Sequence, residues 1–161
     1  MRGGRVKALA VLTSVLYIAV VKEVAPPLVT IKVLDALHAL EDRLEAALEP
    51  LGLSLAKVNV LSKLVAAGEP LPLGTLAERC ACVRSNITQL VDRLAAEKLV
   101  VRSDDPHDRR SVRAELTAEG RSRQAAGLSA LHEAERALVA RLPRGNRDAF
   151  FECLEALRRE P

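Results

Sequence analysis

At 161 residues the chain has room for one domain, and 49% hydrophobic residues are enough for a real core. Only 2% are aromatic and none is Trp, so that core must be built from Leu, Val and Ala, which suits packed helices better than a β-sandwich. A net charge of +3 is compatible with a polyanionic partner, and three cysteines, an odd number, argue against a secreted disulfide scaffold and for a reducing cytoplasm.

At the start of the chain, Arg2, Arg5 and Lys7 precede the uncharged run 8–21, and Lys22 and Glu23 follow, which has the outline of a signal peptide. The run is shorter than the about 20 residues of a comfortable membrane span, and Pro26 beside Ala25 is awkward for cleavage. Residues 1–25 are therefore read as an apolar extension: first as a helix packed at a dimer interface, next as an unnatural lengthening of the reading frame, last as a membrane anchor. Pro26-Pro27 breaks what precedes.

Over 28–48, Val33, Leu37, Leu40, Leu44 and Ala47 recur in threes and fours, with Asp35, Glu41, Asp42, Arg43 and Glu45 opposite, which predicts a long helix with a core-facing stripe. Pro50 and Gly52 end it. Ser54 is the expected N-cap of a helix running to Ala67, with Leu55, Val58, Leu61 and Val65 inward, stopped by Gly68 and Pro70. A short amphipathic run over 73–79 turns Leu76 and Ala77 inward, and Cys80-Ala81-Cys82 separates it from the stretch 83–98. There Ile87, Leu90, Val91 and Leu94 form one stripe, while Arg84, Ser85, Asn86, Thr88, Gln89 and Arg93 project elsewhere. Two helices joined by a tight small-residue turn make a helix-turn-helix, whose second helix enters the major groove of DNA.

Two β-prone runs follow, Leu99-Val100-Val101 and 112–116, joined by a segment with Pro106 amid Asp and Ser. This predicts a hairpin with a basic tip, a wing beside the recognition helix. Thr117 is the expected cap of a helix over 118–142 with a narrow seam of Leu128, Leu131, Leu138 and Leu142. Gly120 and Gly127 weaken it by about 1 kcal/mol each relative to Ala. Pro143 and Gly145 break the chain, and Asn146 caps a last helix bearing Phe150, Phe151, Leu154 and Leu157.

The run LAERCACVRSNITQLVDRLAAEKLVVRSDDPHDRRSVRAELTAEG, residues 76–120, resembles the core of the MarR family of winged helix-turn-helix regulators. The likeness includes the DP-x-DRR-x-V wing and the LT-x-x-G that opens the next helix, with a looser similarity from Leu28 to the end. Two positions depart from the pattern: Ala81 stands where the family commonly has a turn Gly, and Val83 where it has a capping Ser. Val is a poor N-cap, so either Ser85 supplies the hydroxyl one turn in or the first turn frays. The long helices at both ends carry apolar surface that the module alone cannot cover, so pairing with a second copy is expected, and a twofold dimer also fits a palindromic site on double-stranded DNA. The resemblance implies a small molecule or oxidant that changes the spacing of the dimer's two heads. It also implies that Arg110 is the wing tip and that Asp108 holds an Arg in place.

Within the donor-rich face, Arg84, Asn86 and Gln89 are the candidate base readers, and Ser85, Thr88 and Arg93 the candidate phosphate contacts. A solvated helix face is the plainer reading of each one alone; the adjoining turn and wing favour DNA for the set. Asp92 would repel phosphate, so it pairs with an Arg or faces away. Arg109 and Arg110, at the hairpin tip, are placed to enter a minor groove, and Arg102 and Arg113 on the strands to meet phosphates. His107 is read as a loop residue. Cys80 and Cys82 are read as small packed residues, with a redox or metal sensor as the alternative. No set of metal ligands has readable spacing, no cofactor is implied, and no catalytic motif is present, so no enzyme is expected.

The expected molecule is thus mainly α with a small β wing: a winged helix-turn-helix over 26–161 with its DNA-binding core at 73–116, dimerised through N- and C-terminal helices. The expected function is a cytoplasmic, homodimeric, sequence-specific transcription regulator, a repressor on a palindromic operator, relieved by a small molecule or oxidant. A second class stays open: a winged-helix module for protein association or membrane anchoring that reads little DNA.

Overall fold

The computed structural model describes residues 28–105 and 111–159. The chain forms two compact units, one ending at Asp42 and one spanning Arg43–Pro161. The apolar extension 1–25, and with it the expected packing helix, lies outside the described residues.

Helix α1 covers Val29–Leu48. Its apolar residues do repeat at helical period, yet Val33, Leu37 and Leu40 are exposed, and Leu44 and Ala47 are half-buried. The expected core-facing stripe is corrected accordingly, because a repeat shows that a face is apolar and not what covers it. Leu48, at the end of the helix, is fully buried. A 3-10 turn at Glu49–Leu51 and the left-handed Gly52 then reverse the chain.

Helix α2 (Leu55–Ala67) begins as its sequence demands. The Ser54 hydroxyl accepts from the backbone N–H of Lys57 at 3.2 Å, satisfying one donor of the first turn. Gly68 takes the left-handed conformation that closes the other end. The helix buries Val58, Val60, Leu61 and Leu64.

Next comes β1 (Leu71–Pro72), a two-residue strand that the hydrophobic pattern does not announce. It leads into α3 (Leu73–Arg79) and α4 (Arg84–Ala96), followed by the hairpin of β2 (Val100–Asp104) and β3 (Val112–Leu116). The sheet is antiparallel in the order β1-β3-β2, with Leu71 opposite Ala114 and Val101 opposite Glu115. By pairing the outer side of β3, β1 ties the wing to the base of the helix-turn-helix. Around it lies one core, in which Leu61, Leu64, Leu76, Ile87, Val91 and Leu94 are sealed from solvent.

Helix α5 (Ala118–Arg141) starts at Thr117, whose hydroxyl accepts from Gly120 N–H at 2.9 Å and itself reaches the Lys98 and Leu99 carbonyls. Gly120 and Gly127 are buried contact points. A β-carbon at Gly120 would run into the Leu99 carbonyl and lie 2.9 Å from Leu116 Cδ1, and one at Gly127 would lie 2.8 Å from Leu53 Cδ1. Between them Gln124 is buried and donates to the Ser62 hydroxyl at 3.1 Å. A 3-10 turn at Arg144–Asn146 precedes α6 (Arg147–Arg158), which buries none of its residues and has no side-chain cap at Asn146. Among the described residues no single helix is long and apolar enough to cross a membrane.

Candidate nucleic-acid interface

The orientation of α4 is fixed from below. Ile87, Val91 and Leu94 are fully buried and Leu90 is half-buried, so the helix cannot roll without exposing its stripe. What faces out follows from the 3.6-residue period: Arg84, Ser85, Asn86, Gln89 and Arg93 are all exposed. Thr88 is half-buried, and its hydroxyl donates to the Arg84 carbonyl at 3.0 Å. At 13 residues the helix is about 20 Å long, enough to lie along a major groove about 12 Å wide.

Both ends of α4 are informative. Val83 is the N-cap and makes no side-chain capping bond, and the Ser85 hydroxyl does not substitute for one. The turn before it is held by the backbone, with Ala81 N–H donating to Glu78 and Cys82 N–H to Ala77, both at 3.0 Å. Ala81 sits there at φ +50, a left-handed conformation that a β-carbon disfavours. At the far end, Glu97 accepts from Lys57 Nζ at 2.7 Å, and the same ammonium donates to the Gly52 carbonyl at 2.8 Å. Lys57 thereby clamps the end of α4 to the start of α2, a link between residues forty apart that no sequence motif marks.

The two cysteines of the turn differ from each other. Cys80 is half-buried, and burial raises its thiol pKa above the ordinary 9.0, with Cys82 adding to the rise and Lys63 opposing it. Cys82 is exposed, which corrects the expectation that both pack inward. Between the two lies Ala81, with its left-handed backbone. Among the described residues no group of three or more His, Cys, Asp or Glu could hold a metal ion.

In the wing, Arg102 on β2 is ion-paired with Asp92 on α4, the first of the two arrangements expected of that acidic residue. Arg113 on β3 donates through Nε to Asp105 at 2.9 Å, and Asp105 is only 8% exposed. Asp105 N–H also donates to the Ser111 carbonyl at 3.0 Å, so this carboxylate stands where the strands part. Sequence reasoning passed over it, although its place one residue after the strand, before Pro106, was the available signal. His107, Asp108, Arg109 and Arg110 lie outside the described residues. Of the outward cations on α4, neither Arg84 nor Arg93 enters an ion pair among the described residues.

Residues 51–111 match the family model described as "MarR family". This segment is similar to the MarR family. The uncharacterized HTH-type transcriptional regulator YkoM of Bacillus subtilis (strain 168) is 34% identical over 83 residues, a match covering 52% of this chain and 50% of YkoM. The chain thus spans half the length of that curated relative. Among solved structures, the transcriptional repressor CouR bound to a 23-mer DNA duplex is 28% identical with a TM-score of 0.70, covering 82% of this chain and 93% of CouR. CouR from Rhodococcus jostii RHA1 bound to p-coumaroyl-CoA shares the fold at 21% identity, with a TM-score of 0.63 and coverage of 80% and 90%. The matched segment holds the helix-turn-helix, and the described residues from Arg43 onward form a winged helix-turn-helix of the kind found in MarR transcription regulators.

Proposed function

We propose that the chain is a sequence-specific, double-stranded-DNA-binding transcription regulator: a homodimeric repressor acting on a palindromic operator and relieved by a small-molecule or oxidant signal. The observation that carries the reading is the outward face of α4. Its amide and guanidinium side chains are exposed on a helix whose opposite stripe is locked in the core. Amides match adenine edges and guanidinium groups match guanine edges or phosphates, whereas a helix that only meets water has no need of that set. Asn86 and Gln89 read base edges, Arg84, Ser85, Thr88 and Arg93 complete the contact surface, and the wing with Arg109 and Arg110 reaches the flanking minor groove. Arg102 and Arg113 serve partly by fixing the wing through Asp92 and Asp105. Two copies would set their recognition helices about 34 Å apart, one helical turn of DNA. A structure of the same fold at 28% identity, the repressor CouR bound to a 23-mer DNA duplex, supports the DNA-binding part of the proposal.

The test is binding by fluorescence anisotropy to a duplex selected from a random pool and to an unrelated duplex. Asn86→Ala or Gln89→Ala should cost about 1 to 3 kcal/mol on the selected site and far less on the unrelated one. Equal losses on both duplexes would remove base reading from these two residues.

A further inference from the structure

Gly74 lies in the first turn of α3, and its backbone is not left-handed, so conformational freedom does not explain a glycine there. The three atoms nearest to a β-carbon built on Gly74 all belong to the Arg84 guanidinium, Cζ at 3.4 Å, Nε at 3.6 Å and Nη2 closer still. At Gly120, by contrast, the obstacle is backbone, and at Gly127 it is buried Leu53 and Val58. Glycine weakens a helix relative to alanine. At position 74 the space it leaves is filled by an exposed cation with no ion-pair partner among the described residues.

Arg84 is the first residue of α4, and its side chain folds back across the α3–α4 gap, a groove of about 430 Å³ whose walls include Glu78 and Cys82. Its charge therefore rests against the start of α3, while Asn86 and Gln89 project from α4 itself. In a docked helix-turn-helix the first helix crosses the DNA backbone and the second lies in the groove. The opening residues of the second helix ordinarily meet base edges, but a guanidinium held back against the first helix is drawn toward the phosphates that helix crosses.

We infer that Gly74 is a positioning residue whose missing side chain seats the Arg84 guanidinium against α3, which makes Arg84 a sequence-independent phosphate clamp. This rests on the DNA reading of α4 and deepens it: the sequence alone groups Arg84 with the base readers.

The test compares the full-length parent with Gly74→Ala, Arg84→Ala and the double variant. The Arg84 Nε–H resonance, identified by its loss in Arg84→Ala, should shift in Gly74→Ala without DNA present, and thermal melting should show Gly74→Ala no less stable than the parent. On both the selected and the unrelated duplex, each single variant should bind on the order of tenfold more weakly, as befits one charge-assisted hydrogen bond. The magnitude of the salt slope should fall by about one. The double variant should bind no worse than Arg84→Ala. An unshifted Arg84 resonance overturns the positioning, as does a double variant whose loss is the product of the single losses. A loss confined to the selected duplex overturns the phosphate clamp. A parent that binds neither duplex while the resonance shifts defeats the DNA reading and leaves the seating of Arg84 standing.

Discussion

A methyl group added at Gly120 would collide with the Leu99 carbonyl, which is backbone and cannot step aside as a side-chain tip can. Helix propensity alone favours Gly120→Ala by about 1 kcal/mol, but forcing a close helix–strand contact apart costs about 1 to 3 kcal/mol, so the packing term decides. The variant should unfold at lower urea than the parent; an equal or higher midpoint would show that α5 can slide away from Leu99. At the turn cysteines the same argument concerns access. Cys82 is exposed and Cys80 half-buried with a raised pKa, so iodoacetamide near neutral pH should label Cys82 in the folded chain well before Cys80, read by peptide mass spectrometry. Faster labelling of Cys80 would contradict its burial. The sign of the Cys80 shift also fixes its effect on stability: a folded-state pKa raised above 9.0 favours folding below that pH, and the contribution is lost as pH rises through the folded value.

The element that reads as the DNA probe begins imperfectly. Val83 offers no oxygen to the first turn of α4, and Ala81 holds a left-handed backbone that glycine would adopt without cost. Val83 is 62% exposed, so replacing it removes little from the core. Val83→Ser should raise stability by about 1 kcal/mol through the cap, and Ala81→Gly by up to about the same through relief of the turn. Both are read as an upward shift in Tm, and a fall in either would mean that the turn is held by contacts other than these. The stripe of Ile87, Val91 and Leu94 was legible because its 3.6-residue repeat stands opposite a polar face between two flanking elements that pack against it, whereas the like repeats of α1 and α6 marked apolar faces and not their burial. β1 was not, since two residues, one of them Pro72, carry no period. The pairing of Arg113 with Asp105 was equally hidden, because strand register and the closing of a hairpin set it and spacing along the chain does not.

At the scale of the molecule, α6 needs an explanation for its persistence. Twelve residues are marginal for an isolated helix in water, and none of these twelve is buried. Phe150 and Phe151 stack edge to face at 5.9 Å, and with Leu154 and Leu157 they remain 41 to 63% exposed. On α1, Val29, Val33, Leu34, Leu37 and Leu40 are exposed as well. Exposed apolar residues at such spacing mark candidate interfaces, and in the proposed homodimer a second copy would supply identical faces under twofold symmetry. Each Leu or Phe covered in this way contributes about 1.5 to 3 kcal/mol, against an association cost of several kcal/mol, so a handful per protomer suffices for a dimer. Phe151→Glu with Leu154→Glu should therefore convert a dimer to monomers in sedimentation velocity, lower the helical circular dichroism as α6 melts, and weaken operator binding far more than binding to a single half-site. A wild-type chain that sediments as a monomer and still binds a palindrome tightly would break the link between these faces and DNA recognition.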